Sequence, residues 1–197
     1  HNYIPDLSAR SLKNMNSHLI SVAVPHLVKG QFEDNPYFWQ VISGIESGAR
    51  NENFHVMLTG ISDSLGVSFA NERHLDGLVV IGVDENYEHF EDILELGLPC
   101  VFMDSYISKT NLYQVNSNDK FGGYLATRYL LSLGYEKVIL ISGIKGKIDE
   151  QSGVDYQRWL GYKKALQEAN IAYVPEMIIE GGNTMVGGYY AAQKVIN

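Results

Sequence analysis

Cysteine is almost absent from this chain. Its 197 residues include one, Cys100, so no internal disulfide can form and the usage suits a reducing compartment. The neighbours Leu98, Pro99, Val101 and Phe102 are apolar, the setting of an inert buried thiol and not of a nucleophile. No apolar run reaches the roughly 18–20 residues of a membrane-spanning helix, so a soluble protein is expected. The first dozen residues mix polar groups with a proline and lack the apolar stretch of a secretory signal. Cations are scarce: 15 Lys and Arg against 23 Asp and Glu leave a net charge of −8. Such a surface does not grip nucleic acid by itself, because phosphate binding needs clustered Lys and Arg. The six histidines are scattered without a pair at metal-ligand spacing. No serine occupies a nucleophile elbow. The Gly143–Lys147 loop lacks the spacing and the terminal Ser/Thr of a phosphate loop, and neither Gly181-Gly182 nor Gly187-Gly188 follows the dinucleotide fingerprint. No cofactor, no metal and no enzymatic activity are expected.

What is present is a regular alternation. Leu19–Val24, Phe54–Leu58, Leu78–Ile81, Cys100–Met103, Val138–Ile141 and Met177–Ile179 read as strands, most of them continuously apolar, as strands covered on both faces are. Between them the pattern predicts helices over Tyr37–Asn51, a short segment ending near Arg73, Tyr87–Leu96, Lys120–Leu133, Tyr156–Ala169 and Met185–Val195. The acidic run Asp84–Glu95 reads as a solvated helix face. Asn118-Asp119 can cap the Lys120 helix, and Gly134 and Gly97 stand where helices end. Repeated strand–helix–strand order implies parallel sheets with right-handed crossovers, an α/β fold. One interval breaks the rhythm: after Cys100–Met103 comes the polar stretch Asp104–Asn111 and then Leu112–Val115, with no room for a helix. A change of sheet is the natural expectation, which places a subdomain boundary near Asn116–Ser117.

The N-terminus carries the most specific pattern. Pro5 and Asp6 precede the helix formers Leu7 to Lys13, a helix too short to stand alone, since isolated helices under about 12–15 residues are marginal. Read from Tyr3 to Leu12, Tyr-Ile-Pro-x-x-x-Ala-Arg-Ser-Leu resembles the hinge helix of LacI/GalR-type repressors. The resemblance continues through Asn35-Pro36-Tyr37-Phe38, Leu75-Asp76-Gly77, Leu98–Asp104, Asn118–Leu130, Leu133-Gly134-Tyr135 and Arg158-Trp159-Leu160-Gly161-Tyr162. It implies a periplasmic-binding-protein-like fold of two Rossmann-like subdomains with parallel sheets. The implied division is a hinge and linker over 1–17, an N-terminal core subdomain over 18–116 and a partial C-terminal one over 117–197. Against the family pattern the chain is short between Thr59 and Asp76, lacks the headpiece and stops early, so a fragment is expected.

The resemblance also implies roles. Leu12 matches the residue wedged between base steps in the minor groove, Ala9 the small residue of close approach, and Arg10 and Lys13 lie where phosphates pass; such wedges kink DNA and are repaid by added contacts. In open parallel sheets ligands bind beyond the carboxyl ends of the strands, where Asp104, the Gly143–Asp155 loop with Arg158 after it, and the Tyr37-Phe38 pair all fall. Carboxylate and guanidinium can bond sugar hydroxyls while an aromatic face covers the ring. Asp104, Arg158 and Phe38, with Tyr37 and Asp155 as weaker members, are therefore the candidate effector contacts. Each has a plainer alternative: Asp104 as a turn cap, Arg158 paired with Asp155 or Glu150, Tyr37 as packing. Trp159 is expected to pack.

The implied function is a homodimeric, cytoplasmic repressor whose small-molecule effector, a carbohydrate or related metabolite, enters between the subdomains and modulates operator binding. The alternatives are a periplasmic sugar-binding protein of a transport system, which shares this core, and a sensor module joined to another kind of domain.

Overall fold

The computed structural model describes residues 17–25, 36–61, 74–143 and 153–196. The expected hinge, with Ala9, Arg10, Leu12 and Lys13, and the short helix ending near Arg73 lie outside them. The described residues divide into two compact units. One takes the chain up to Met103 together with Ile107–Val115, the other Asp104–Tyr106 and the chain from Asn116 onward.

The first unit is built on five parallel strands: β1 (Leu19–Pro25), β2 (His55–Ile61), β3 (Gly77–Ile81), β4 (Cys100–Met103) and β5 (Tyr113–Val115), in the order β2-β1-β3-β4-β5. Side chains alternate across a strand. Ala23, Leu78, Val80 and Phe102 therefore share one face with Val83, Phe90, Ile93 and Ile107. Val22, Val24 and Ile81 face the other way, onto Phe38, Val41, Ile42 and Ile45 of helix α1 (Pro36–Asn51). The central strands β1, β3 and β4, with side chains packed on both faces, are accordingly mostly apolar.

The Asp76-Gly77 pair starts β3 for two reasons. A Cβ at Gly77 would sit 3.3 Å from the Pro99 carbonyl oxygen, a tight approach. The Asp76 carboxylate accepts the amide N–H groups of Ser17 at 3.0 Å and His18 at 2.6 Å, tying the start of β1 to β3. Burial alone would raise the Asp76 carboxyl, but these amide donors outweigh it and hold the group below its usual value. Asp76→Asn should lower stability by less than about 1 kcal/mol at neutral pH, the site being open to solvent. A lowered folded-state value means the contribution is complete above the ordinary carboxylate range and vanishes as pH falls through that lowered value. Thermal unfolding of both proteins checks this; a gap in Tm that persists in acid would assign the effect elsewhere.

The structure corrects the sequence reading in three places. Helix α2 is Phe90–Glu95 rather than Tyr87–Leu96. Asp84 accepts the Asn86 N–H at 2.9 Å through its side chain, which makes a turn where the helix was expected to start. Strand β5 joins β4 in the same sheet, so the change of sheet follows Val115 and does not occur between Met103 and Leu112. The helix-free crossover works because side chains stand in for a ladder. Asn116 clamps both the N–H and the C=O of Ser105 at 2.8 Å, and Gln114 does the same to Ile107 at 3.0 and 2.9 Å. Glu85 accepts Ser108 N at 2.7 Å, Ser108 Oγ at 2.8 Å and Lys109 N at 3.1 Å, bonds that hold its carboxyl below the usual value. Third, β6 is Leu140–Ser142, later than Val138–Ile141, because the Val138 carbonyl is taken by the Tyr162 hydroxyl at 2.7 Å.

The second unit contains α3 (Asp119–Ser132), β6, α4 (Gly153–Glu168), a 3-10 turn at Pro175–Met177, β7 (Ile178–Glu180) and α5 (Met185–Ile196), with β6 and β7 paired in parallel. Its core gathers Val138, Trp159, Tyr162 and Leu166. Trp159 packs as expected, beside Tyr156 and Tyr173, with the Lys163 Nζ 4.8 Å from its ring centre.

Candidate functional site

In the second unit the sequence between Asn116 and Lys120 sets the stage. Asn118 is the N-cap of α3, its Oδ1 accepting the Phe121 N–H at 3.1 Å, so the neighbouring Asp119 is released from capping. Asp119 enters the first turn, where the helix N-terminus favours a negative charge, and its side chain is 5% exposed. A carboxylate so buried needs partners. It has two: Arg158 donates from Nε to Oδ1 at 2.9 Å, and Tyr106 donates from its hydroxyl to Oδ2 at 2.8 Å.

Arg158 arrives from α4, and the reason it can reach is steric. A Cβ at Gly161 would overlap the Lys120 carbonyl oxygen, and one at Gly123 would overlap that of Arg158. With glycine at both positions the two helix backbones touch. Arg158 is thus set on Asp119 through Nε alone, with its side chain 52% exposed. Its outer guanidinium nitrogens, the part suited to paired acceptors, take no part in that contact. The plainer alternative for Arg158, an ion pair with Asp155, does not form; the partner is Asp119, from another helix.

Asp155 is otherwise engaged. It lies in the first turn of α4 and not in a loop. Ser142 Oγ donates to it at 3.1 Å, Asn183 Nδ2 at 3.2 Å and, more distantly, Gly143 N at 3.5 Å. These bonds fasten the carboxyl end of β6 and the turn after β7 to the start of α4, a positioning duty. Asp104 follows β4, half-buried and left-handed at φ +50°; it belongs to the second unit, as do Arg158, Asp119 and Asp155. Tyr37 and Phe38 belong to the first. There Phe38 packs against Val22, Val24 and Ile81, while Tyr37, for which packing was the plainer alternative, is 43% exposed.

Two residues of this arrangement were not singled out from the sequence as site members, Tyr106 and Asp119. The signal for Asp119 was available, since a helix start needs one capping side chain and Asn118-Asp119 offers two. Nothing local marks Tyr106. Burial, and then the Asp119 carboxylate it bonds, push its hydroxyl up to about 12, so it remains a donor throughout the neutral range. A cavity of about 500 Å³ opens at this cluster, its lining including Asn118, Asp119, Arg158, Leu130, Val138 and Tyr162. Among the described residues no group of His, Cys, Asp and Glu could hold a metal ion, and no helix is long and apolar enough to cross a membrane. Burial raises the Cys100 thiol to about 11, so it stays protonated and unreactive.

Residues 21–197 match the family described as periplasmic binding proteins and sugar binding domain of LacI family. The chain belongs to this family. Among curated relatives of this family member are the ribose operon repressor of Haemophilus influenzae, 30% identical over 201 residues, and the HTH-type transcriptional repressor PurR of Vibrio atlanticus, 31% identical over 202. Each alignment covers 99% of this chain and 57% of the relative, so the chain spans little more than half the length of the proteins it matches. Among solved structures, a transcriptional regulator CelR–cellobiose complex superposes with a TM-score of 0.80 at 18% identity, over 95% of this chain and 59% of that one. The lac repressor dimer bound to operator and the anti-inducer ONPF superposes at 0.73 and 21% identity, over 100% and 66%. At these identities the likeness is one of fold, and it agrees with the α/β, periplasmic-binding-protein-like class expected from the sequence.

Proposed function

We propose that this chain is the effector-binding core of a ligand-responsive transcriptional repressor, with residues 1–17 as hinge, 18–116 as the N-terminal subdomain and 117–197 as part of the C-terminal one. The observation that carries the ligand reading is Arg158, its side chain half exposed and anchored through Nε on a buried carboxylate. A guanidinium held this way offers paired donors to the oxygens of a carbohydrate or similar small metabolite. In this reading the effector contacts are those expected from the sequence: Arg158 and Asp104 with Asp155 in the second unit, and Phe38 and Tyr37 in the first. Relatives named as repressors along nearly the whole chain favour regulation over the transport alternative. In this reading the complete protein works as a cytoplasmic homodimer without catalytic activity. It contacts operator DNA through a headpiece and through Ala9, Arg10, Leu12 and Lys13 of the hinge, and the effector and DNA influence each other reciprocally.

The test uses the complete protein in a thermal-shift panel that includes D-ribose, cellobiose, sugar phosphates and nucleosides. A ligand at 100 times its Kd should stabilise the fold by about 2.7 kcal/mol. Arg158→Ala should weaken a positive ligand at least about tenfold, the loss of a charged pair of hydrogen bonds. A variant that binds it at wild-type affinity removes Arg158 from the site. Operator affinity that ignores a ligand demonstrably bound removes the regulatory reading.

A further inference from the structure

We propose that Tyr106 is a positioning residue for effector recognition: its hydroxyl locks the Asp119 carboxylate in the one orientation that aims the Arg158 guanidinium. The inference rests on Arg158 as the ligand contact, the reading given above.

The geometry is a relay of three side chains from three places in the chain. Tyr106 donates to Asp119 Oδ2 at 2.8 Å and lies equally close, 2.8 Å, to the Ser117 carbonyl oxygen, so its hydroxyl is fixed between two acceptors. Asp119 Oδ1 is left to take Arg158 Nε at 2.9 Å. A carboxylate bound at one oxygen only can swing about its Cβ–Cγ bond, and the half-exposed arginine would swing with it. Bound at both oxygens and buried, it cannot. Arginine loses much rotamer freedom when it is immobilised, so a guanidinium already held in place binds a ligand without that cost. Tyr106 is itself held, because Asn116 clamps the backbone of the preceding Ser105 through both its amide atoms. The segment Asp104–Tyr106 leads directly out of β4. Any shift of that segment therefore acts on the aim of Arg158 through one hydroxyl.

Tyr106→Phe removes that hydroxyl and keeps the ring. In the ligand-free protein, nitrogen-15 NMR of the Arg158 Nε–H should show solvent exchange at least about fivefold faster in the variant, the scale of one hydrogen bond. Backbone amide protection in α3 and α4 should stay unchanged, which separates positioning from a general loosening. Exchange at the wild-type rate overturns the proposal, and so does a matching loss of amide protection across both helices. With D-ribose as probe, Tyr106→Phe should weaken binding about fivefold in the wild-type background and less than about twofold in an Arg158→Lys background, the signature of residues acting through one another. Equal losses in the two backgrounds also overturn it. If D-ribose does not bind the wild-type protein, the exchange measurement alone decides the role of Tyr106, and the ligand reading is decided by the full panel above.

Discussion

Replacing Gly161 by alanine should destabilise the second unit by about 2 kcal/mol, although alanine is the better helix former by about 1 kcal/mol. The two effects oppose each other at this site, and magnitude decides between them. A Cβ here would overlap the Lys120 carbonyl oxygen and lie 2.6 Å from Tyr124 N. Both are backbone atoms of α3, so relief requires moving one helix off the other, and overpacking of this kind costs about 1–3 kcal/mol or more. The same substitution at Gly44 in α1 meets nothing within 4 Å among the described residues and should stabilise by up to about 1 kcal/mol. The chain holds two tryptophans, Trp39 and Trp159. In a Trp39→Phe background, urea unfolding followed by fluorescence reports on the second unit through the buried Trp159. An unchanged or raised midpoint for Gly161→Ala would mean that α3 and α4 are not in backbone contact.

Asp119→Ala should cost about 2 kcal/mol by the same assay. The loss comes less from the bonds themselves than from the donors left behind. Truncating one side of a buried pair strands the other. Arg158 is half exposed and can regain water, which limits the penalty, whereas the Tyr106 hydroxyl is half-buried and recovers less. In an Arg158→Ala background the same change should cost less, because no guanidinium is then stranded. Asp119→Asn keeps one acceptor oxygen, for one of the two donors, and should fall between. Equal losses in both backgrounds would show that the Arg158–Asp119 contact contributes nothing to the fold.

Much of the architecture could be read from the residues. The strand over Leu19–Val24, the Cys100–Met103 strand, the Tyr37–Asn51 helix and the helix after Asn118 are found within a residue or two of expectation. Each rests on local patterning, a continuous apolar run or a helical stripe with its cap, and local patterning survives translation into structure. The motif order also pointed to the family. What the residues did not disclose, the pairing of β5 with β4, the Asp119 partner of Arg158 and which of Tyr37 and Phe38 packs, depends on contacts between residues far apart in the chain or on opposite faces of one turn.

The sequence by itself determined the alternation of elements and the parallel α/β class, because these follow from side-chain polarity and period. Only the tertiary structure decided which carboxylate Arg158 would meet. Asp155 stands three positions away on the same helix, yet Ser142, Asn183 and Gly143 occupy it. Asp119, 39 positions away, is brought within 2.9 Å because two glycines let α3 and α4 close. A charge pairs with whatever acceptor packing leaves both near and unsatisfied, and packing is a property of the whole chain.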